Sequence, residues 1–278
     1  MMPSSAPLIV RFWGVRGSIP TADRTCAGVG GNTSCVEVRA GDAVLVLDAG
    51  TGARALGVAL AAEAAGRPAE TNVLFTHFHW DHLQGLPFFA PLYTAGNRVR
   101  FHAVTDPARL RALLGGQMGE PYFPVPFETV GAETTTEQLA NDVTVEIGPF
   151  AVTPFALHHP QGASGYRIAC GGRTVVYATD YEHGDAALDA GLRRAAAGAD
   201  LLISDAQFTP DEYALREGWG HTTYVEAARV ASDAGAARLA LFHHDPSHDD
   251  EAMARIGAAA RAHFEATVVA AEGMEIAL

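Results

Sequence analysis

The chain has 278 residues, 48% of them hydrophobic, and carries 32 acidic against 19 basic side chains for a formal net charge of −13. That length suits one large α/β unit with a sizeable core, and residues 1–278 are expected to form a single domain. The acidity excludes a surface built to grip long nucleic acids, which needs a field of Lys and Arg, and no stretch approaches the roughly eighteen apolar residues of a membrane span.

With no charged-then-apolar leader, the chain is expected to be soluble and cytoplasmic. Met1 to Pro7 are expected to lack order. Cys26, Cys35 and Cys170 contain no CxxC pair and read as small buried thiols of a reducing compartment.

Leu8 to Trp13 predicts an opening strand that ends at Gly14. A glycine-rich loop follows, Gly14 to Pro20 and then Gly28 to Asn32; lacking a following Lys-Ser or Lys-Thr, it reads as a chain reversal before a phosphate cradle. Cys35 to Val38 and Ala43 to Leu47 predict strands joined by a Gly41-Asp42 hairpin turn. Asp48, directly after them, is read as a carboxylate that braces a loop, with metal ligation the lesser alternative. Ala53 to Ala65 predicts a helix stopped by Gly66.

The buried strand predicted at Asn72 to Phe75 runs into Thr76-His77-Phe78-His79-Trp80-Asp81-His82. A loop at a strand end can turn all four polar side chains inward, whereas a helix would need its ligands at i and i+4. Neutral imidazole suits Zn and similar divalent ions, and the added carboxylate lets a second ion bind beside the first.

Leu86 to Phe89 and Pro91 to Tyr93 form an apolar, Pro-interrupted segment. Val99 to Val104 predicts a strand, and Asp106-Pro107 caps a helix through Leu114. Gly115 to Phe127 matches neither period and reads as a packed surface loop, with a substrate-covering flap as the alternative. Strands are then expected at Val143 to Ile147, Phe150 to Leu157, Gly165 to Ala169 and Thr174 to Ala178. Helices at Asp185 to Ala197, Pro210 to Glu217, Thr222 to Ala234 and Asp249 to His263 alternate with strands at Leu201 to Ile203 and Leu239 to Phe242, and two short strands close the chain. Strands first and helices after, in each half, predict two packed sheets with helices on both outer faces.

A two-metal site needs further ligands, and three strand ends offer them: His158-His159, Asp180 and His243-His244. Taken together, the order His77-x-His79-x-Asp81-His82, His159, Asp180, His243 resembles the metallo-β-lactamase superfamily, in its ribonuclease Z-like phosphodiesterase branch. His159 stands ahead of Gly165-Tyr166-Arg167 as the third ligand does in that branch. Ala178-Thr179-Asp180, Asp200 to Asp205 and Gly220-His221-Thr222-Thr223 match as well.

The resemblance implies a four-layer αββα sandwich with a dinuclear site at one edge. It implies that His77, His79 and His159 hold one ion, that Asp81, His82 and His243 hold the other, and that Asp180 bridges them. His159 is preferred to His158 by its spacing to Gly165, and His243 to His244 because it directly follows the strand. Each neighbour remains an alternative ligand. His79 in place of the Glu found in flavodiiron relatives favours Zn and admits Mn.

Two ions roughly 3.5–4 Å apart can share a water and deliver hydroxide at neutral pH. Held by two Asp, they would leave a local excess of about +2, an anion trap within an acidic protein. The resemblance gives His221 the place over the substrate phosphate, oriented by Asp205, so His221, Asp205 and Asp81 are the catalytic candidates. The expected activity is cleavage of a phosphodiester in a small, anionic, notably cyclic, nucleotide. Ribonuclease Z activity fits less well, because the basic, glycine-rich arm that grips tRNA is missing. A lactone, thioester or other ester hydrolase of the same fold is the second reading. A non-catalytic metal- or RNA-binding protein is the third. The resemblance also leans towards a homodimer.

Overall fold

The computed structural model describes residues 7–278, so Met1 to Ala6, most of the stretch expected to lack order, lie outside them. Strands β1 (Leu8–Gly14), β2 (Cys35–Ala40) and β3 (Ala43–Leu47) form an antiparallel meander, with the expected turn at Gly41-Asp42. Helix α1 (Ala53–Ala64) crosses to β4 (Glu70–Leu74), which pairs parallel to β3. The one-turn α2 (Trp80–Leu83), β5 (Arg98–Ala103), α3 (Pro107–Gly116) and β6 (Glu133–Gln138) extend the parallel half of that sheet.

The second half repeats the plan. Strands β7 (Val145–Ile147), β8 (Phe150–Leu157), β9 (Ala163–Cys170) and β10 (Arg173–Ala178) are antiparallel neighbours. Helix α4 (Ala186–Ala196), β11 (Leu201–Asp205), α5 (Pro210–Tyr213), α6 (Tyr224–Asp233), β12 (Leu239–Phe242), α7 (Asp250–His263) and β13 (Thr267–Val269) complete a parallel half. Strand β14 (Glu275–Ala277) returns to pair with β1. The sheet orders are β14-β1-β2-β3-β4-β5-β6 and β13-β12-β11-β10-β9-β8-β7.

Period-two alternation assigns the layers. Val175 and Tyr177 of β10 point between the sheets, where Phe12, Val38, Leu45, Ile168, Ile203 and Phe242 fill the central core. Val176 and Ala178 of the same strand face outward against α4, α6 and α7 through Leu192, Ala227 and Ile256. On the other flank, Val46, Val73 and Phe101 meet α1 and α3 through Leu56, Leu110 and Leu114. This is the expected αββα sandwich. Side chains close the helix starts: Asp106, Asp185, Thr223 and Asp249 each accept backbone N–H bonds from the following turn.

Two elements depart from expectation. Strand β6, Glu-Thr-Thr-Thr-Glu-Gln, went unread because an edge strand is kept polar and carries no apolar alternation. The helix expected over Pro210 to Glu217 stops at Tyr213 despite a Thr209/Glu212 capping box, and the Gly218 and Gly220 N–H groups bond instead to the Glu182 carboxylate. Within the Gly115 to Phe127 segment Met118 and Phe127 are buried while Tyr122 is exposed, in keeping with a packed surface loop.

Asp48, His77, His159, Asp180, Asp205 and His243 all follow the C-terminal ends of strands β3, β4, β8, β10, β11 and β12 or close them, so the sandwich delivers them to one rim.

Candidate metal centre and active site

The backbone is strained where it hands over these side chains. Asp48, Asp180 and His243 each follow a strand and adopt left-handed φ values of 59°, 57° and 60°. Only a surrounding structure that over-determines the turn holds such a conformation in non-glycine residues.

Besides Asp205, His221 and His243, which also converge, two groups of donor atoms share one carboxylate. His77, His79, His159 and Asp180 converge in one, and Asp81, His82, Asp180 and His243 in the other, each within 4.8 Å of one another. Asp180 belongs to both. Its Oδ1 lies 3.7 Å from His77 Nε2 and 3.9 Å from His159 Nε2, while its Oδ2 lies 3.1 Å from His82 Nε2 and 3.3 Å from His243 Nε2. Asp81 Oδ2 completes the second group, 3.1 Å from His243 Nε2 and 3.3 Å from His82 Nε2. Thus His159 and His243 enter the groups, whereas His158 lies exposed beside the Glu182 carbonyl and His244 is buried against the Ala270 carbonyl.

Outward hydrogen bonds set the tautomers. His82 Nδ1 donates to Asp48 Oδ2 at 2.9 Å, His159 Nδ1 to the Gly220 carbonyl at 2.8 Å, His243 Nδ1 to Gln207 Oε1 at 3.0 Å and His79 Nε2 to Gln161 Oε1 at 3.2 Å. The Thr76 hydroxyl gives its proton to Asp48 and so accepts from His77 Nδ1 at 3.0 Å. In the neutral ring each inward nitrogen is therefore a lone pair. His79 Nδ1 faces His159 Nε2 at 3.2 Å, His82 Nε2 faces His243 Nε2 at 3.3 Å, and His77 Nε2 is buried with no partner.

Acceptors facing acceptors repel unless positive charge lies between them. Burial drives His77 below its ordinary value, helped by His82. Burial also opposes the charged form of His82, yet the Asp180, Asp81 and Asp48 carboxylates together lift it well above its ordinary value. Burial raises Asp81 and Asp180 too, and the adjacent imidazoles overcome it and hold both carboxyls low. Such a pocket of nitrogen and carboxylate donors fits divalent metal ions; His77, His79, His159 and Asp180 could hold one, and Asp81, His82, His243 and Asp180 another.

Asp48 proves to be a brace. Its carboxylate accepts from Thr76 N at 2.8 Å, from His82 Nδ1 and from Tyr177 OH at 3.0 Å. Sequence reading missed Gln161, Gln207 and the Gly220 carbonyl as orienting groups, because a single acceptor two residues past His159 or Asp205 carries no spacing signature. It also undervalued the first glycine loop. Gly17 packs on His243, where a Cβ would come 2.4 Å from Nδ1, and the Ser18 N–H donates to Asp81 Oδ2 at 2.7 Å.

His221 stands beside both groups. Its ring stacks on His243 with centroids 4.9 Å apart, and Nδ1 is 2.9 Å from Asp205 Oδ2. Burial disfavours its charged form, but Asp205, then Asp180 and Asp81, raise it to about 9. Asp205 is itself held by the N–H groups of Asp180, Gln207 and Thr222, each at 3.1 Å.

Residues 44–244 match the Beta-lactamase superfamily domain. The chain belongs to the metallo-β-lactamase superfamily. It is 26% identical over 315 residues to a ribonuclease Z of Bradyrhizobium sp. (strain ORS 278), spanning 94% of this chain and 96% of that protein. The probable metallo-hydrolase YhfI of Bacillus subtilis (strain 168) is 30% identical over 197 residues, 66% of this chain and 71% of YhfI. The YhfI crystal structure superposes with a TM-score of 0.75 at 22% identity, covering 99% of this chain and 100% of that one. A diphosphatase from the PhnP family gives a TM-score of 0.68 at 17% identity, covering 98% and 97%. These two structural likenesses speak for the fold alone. The chain is a hydrolase of the metallo-β-lactamase fold, a fold that implies divalent metal ions. Among the described residues no helix is long and apolar enough to cross a membrane.

Proposed function

We propose that this protein, acting as one domain over residues 1–278, hydrolyses a phosphodiester in a small substrate, with cyclic nucleotides the leading class. The observation that carries the reading is Asp180, which presents one oxygen to each donor group while an imidazole paired with a carboxylate, His221 with Asp205, stands beside both.

Two divalent cations, Zn ahead of Mn, would supply Lewis acidity and an activated water. The protein's own contribution is placement and proton supply. His77, His79 and His159 on one side, and Asp81, His82 and His243 on the other, keep their donor atoms converged by outward hydrogen bonds, so little reorganisation accompanies the reaction. Asp205 holds the Nδ1 proton of His221, leaving the Nε2 proton to pass to the departing ester oxygen. The imidazole regains that proton from solvent, a return that the Asp205 carboxylate against Nδ1 favours.

The ribonuclease Z relatives make structured RNA the rival substrate. A net charge of −13 and a chain without a single lysine weigh against that choice. The test is turnover by metal-replete protein on bis(p-nitrophenyl) phosphate, 3′,5′-cyclic AMP, a lactone panel and a precursor tRNA. Diester hydrolysis exceeding lactone and tRNA cleavage is expected. Lactone turnover without any diester cleavage would sink the proposal, and tRNA processing as the fastest reaction would replace the small substrate.

A further inference from the structure

We infer that the cleft behind His159 is a subsite for an amino-bearing nucleobase, which deepens the phosphodiesterase reading above and rests on it. The cleft holds about 380 Å³ between the β8 end, the segment after β10 and the α5 loop. Its walls include His158, His159, His183, Tyr213, Glu182 and Glu217. The His159 imidazole is a shared partition. Its Nε2 faces His79 and Asp180 on the metal side, and the cleft opens beside the same residue. The two spaces meet at His159, and on that shared residue we place the moiety next to the phosphorus in this cavity.

The chemistry of the walls says which moiety fits. No Arg lines the cleft, and two carboxylates do, so a phosphate is repelled from it and belongs on the metal side. Flat rings are present: His183 and Tyr213 lie with ring centroids 4.5 Å apart and planes tilted by 39°, and the exposed His158 stands 3.2 Å from the Glu182 carbonyl next to His183. Most polar groups are already engaged. Glu182 takes the Tyr213 hydroxyl at 2.9 Å and the N–H groups of Gly218 at 2.6 Å and Gly220 at 2.8 Å, and His183 Nδ1 is 2.8 Å from Thr222 Oγ1. The Glu217 carboxylate is exposed and remains free to accept. A free carboxylate selects a donor, so an exocyclic amino group on a flat ring is favoured over a carbonyl at the same place. Adenine, guanine and cytosine carry such an amino group; hypoxanthine and uracil have a carbonyl in its place and only a ring N–H beside it, a poorer match at the same position.

Occupation of the cleft also bears on the acid. Glu182 clamps the loop that ends in His221, and His183 reaches Asp205 through Thr222, whose N–H donates to Asp205 Oδ1 at 3.1 Å. A base resting on His183 and Tyr213 stiffens the segment that presents His221.

Calorimetric titration of metal-replete protein with adenosine and with inosine tests the subsite without any phosphate chemistry. Adenosine is expected to bind about tenfold more tightly than inosine, the order of one hydrogen bond to a charged acceptor, and Glu217→Gln should erase the difference. A kinetic arm compares the p-nitrophenyl ester of 5′-AMP with bis(p-nitrophenyl) phosphate. The ratio of their kcat/KM values should fall about tenfold in Glu217→Gln and again in His183→Ala. Diester hydrolysis with no preference for adenosine over inosine overturns the subsite and leaves the phosphodiesterase reading standing. Failure of the wild type to cleave either ester overturns the phosphodiesterase reading itself, and with it the role of the cleft in catalysis.

Discussion

Replacing Asp205 by Asn asks whether His221 works as an acid. The shift of His221 from its ordinary 6.5 to about 9 opposes a burial penalty, and the Asp205 carboxylate at 2.9 Å is the largest attraction behind it. That displacement corresponds to about 3 kcal/mol in favour of the charged ring, and Asp205 is the largest attraction that produces it. An acid acts only while protonated, so kcat/KM for a phosphodiester should fall as pH rises through its pKa. In Asp205→Asn that alkaline limb should move down by more than about one pH unit. Bound divalent cations lower the limb in both proteins, so the separation between them is the quantity to read. The amide also sets an N–H2 against backbone donors that the carboxylate satisfied, at about 1–3 kcal/mol of stability, visible as a lower Tm. An alkaline limb that stays in place, in a variant that is folded and retains its metals, would refute the acid role.

Asp180→Ala should lose both ions together by elemental analysis, since one carboxylate serves both groups; retention of either ion would falsify the bridge. Asp48→Asn should weaken the His82 position, costing about 1–3 kcal/mol and lowering metal occupancy, because its carboxylate orients His82 and anchors Thr76 and Tyr177. Gly17→Ala should drive His243 aside and reduce metal content with little effect on far-UV circular dichroism; full occupancy would show that the loop yields. In metal-stripped protein, the raised His221 contributes stability that is complete below about pH 6.5 and lost as pH rises through about 9. His221→Gln should flatten that part of the Tm profile.

Most of the site was legible because its chemistry is local. Four of the seven candidate ligands fall within Thr76 to His82, and the other three directly follow apolar runs or stand one residue beyond them. The helices were legible for the same reason, since caps such as Asp106-Pro107 act within one turn. Strand β6 was not, because its identity comes from its neighbour β5 and not from its own polar side chains. Nor was the end of α5, where a distant carboxylate, Glu182, takes the backbone donors that follow it.

Residue types and their order determined the donor set, its leaning towards divalent metals and the layered fold, because strand periodicity and strand-end chemistry are written in short segments. Tertiary structure alone decided which of two adjacent histidines turns inward at His158-His159 and at His243-His244. It also decided which oxygen of Asp180 faces which group, and which carbonyls and amides set the tautomers. Those choices follow from left-handed turns at strand ends and from contacts between residues far apart in the chain, 162 positions for Asp81 and His243, and no local pattern encodes them.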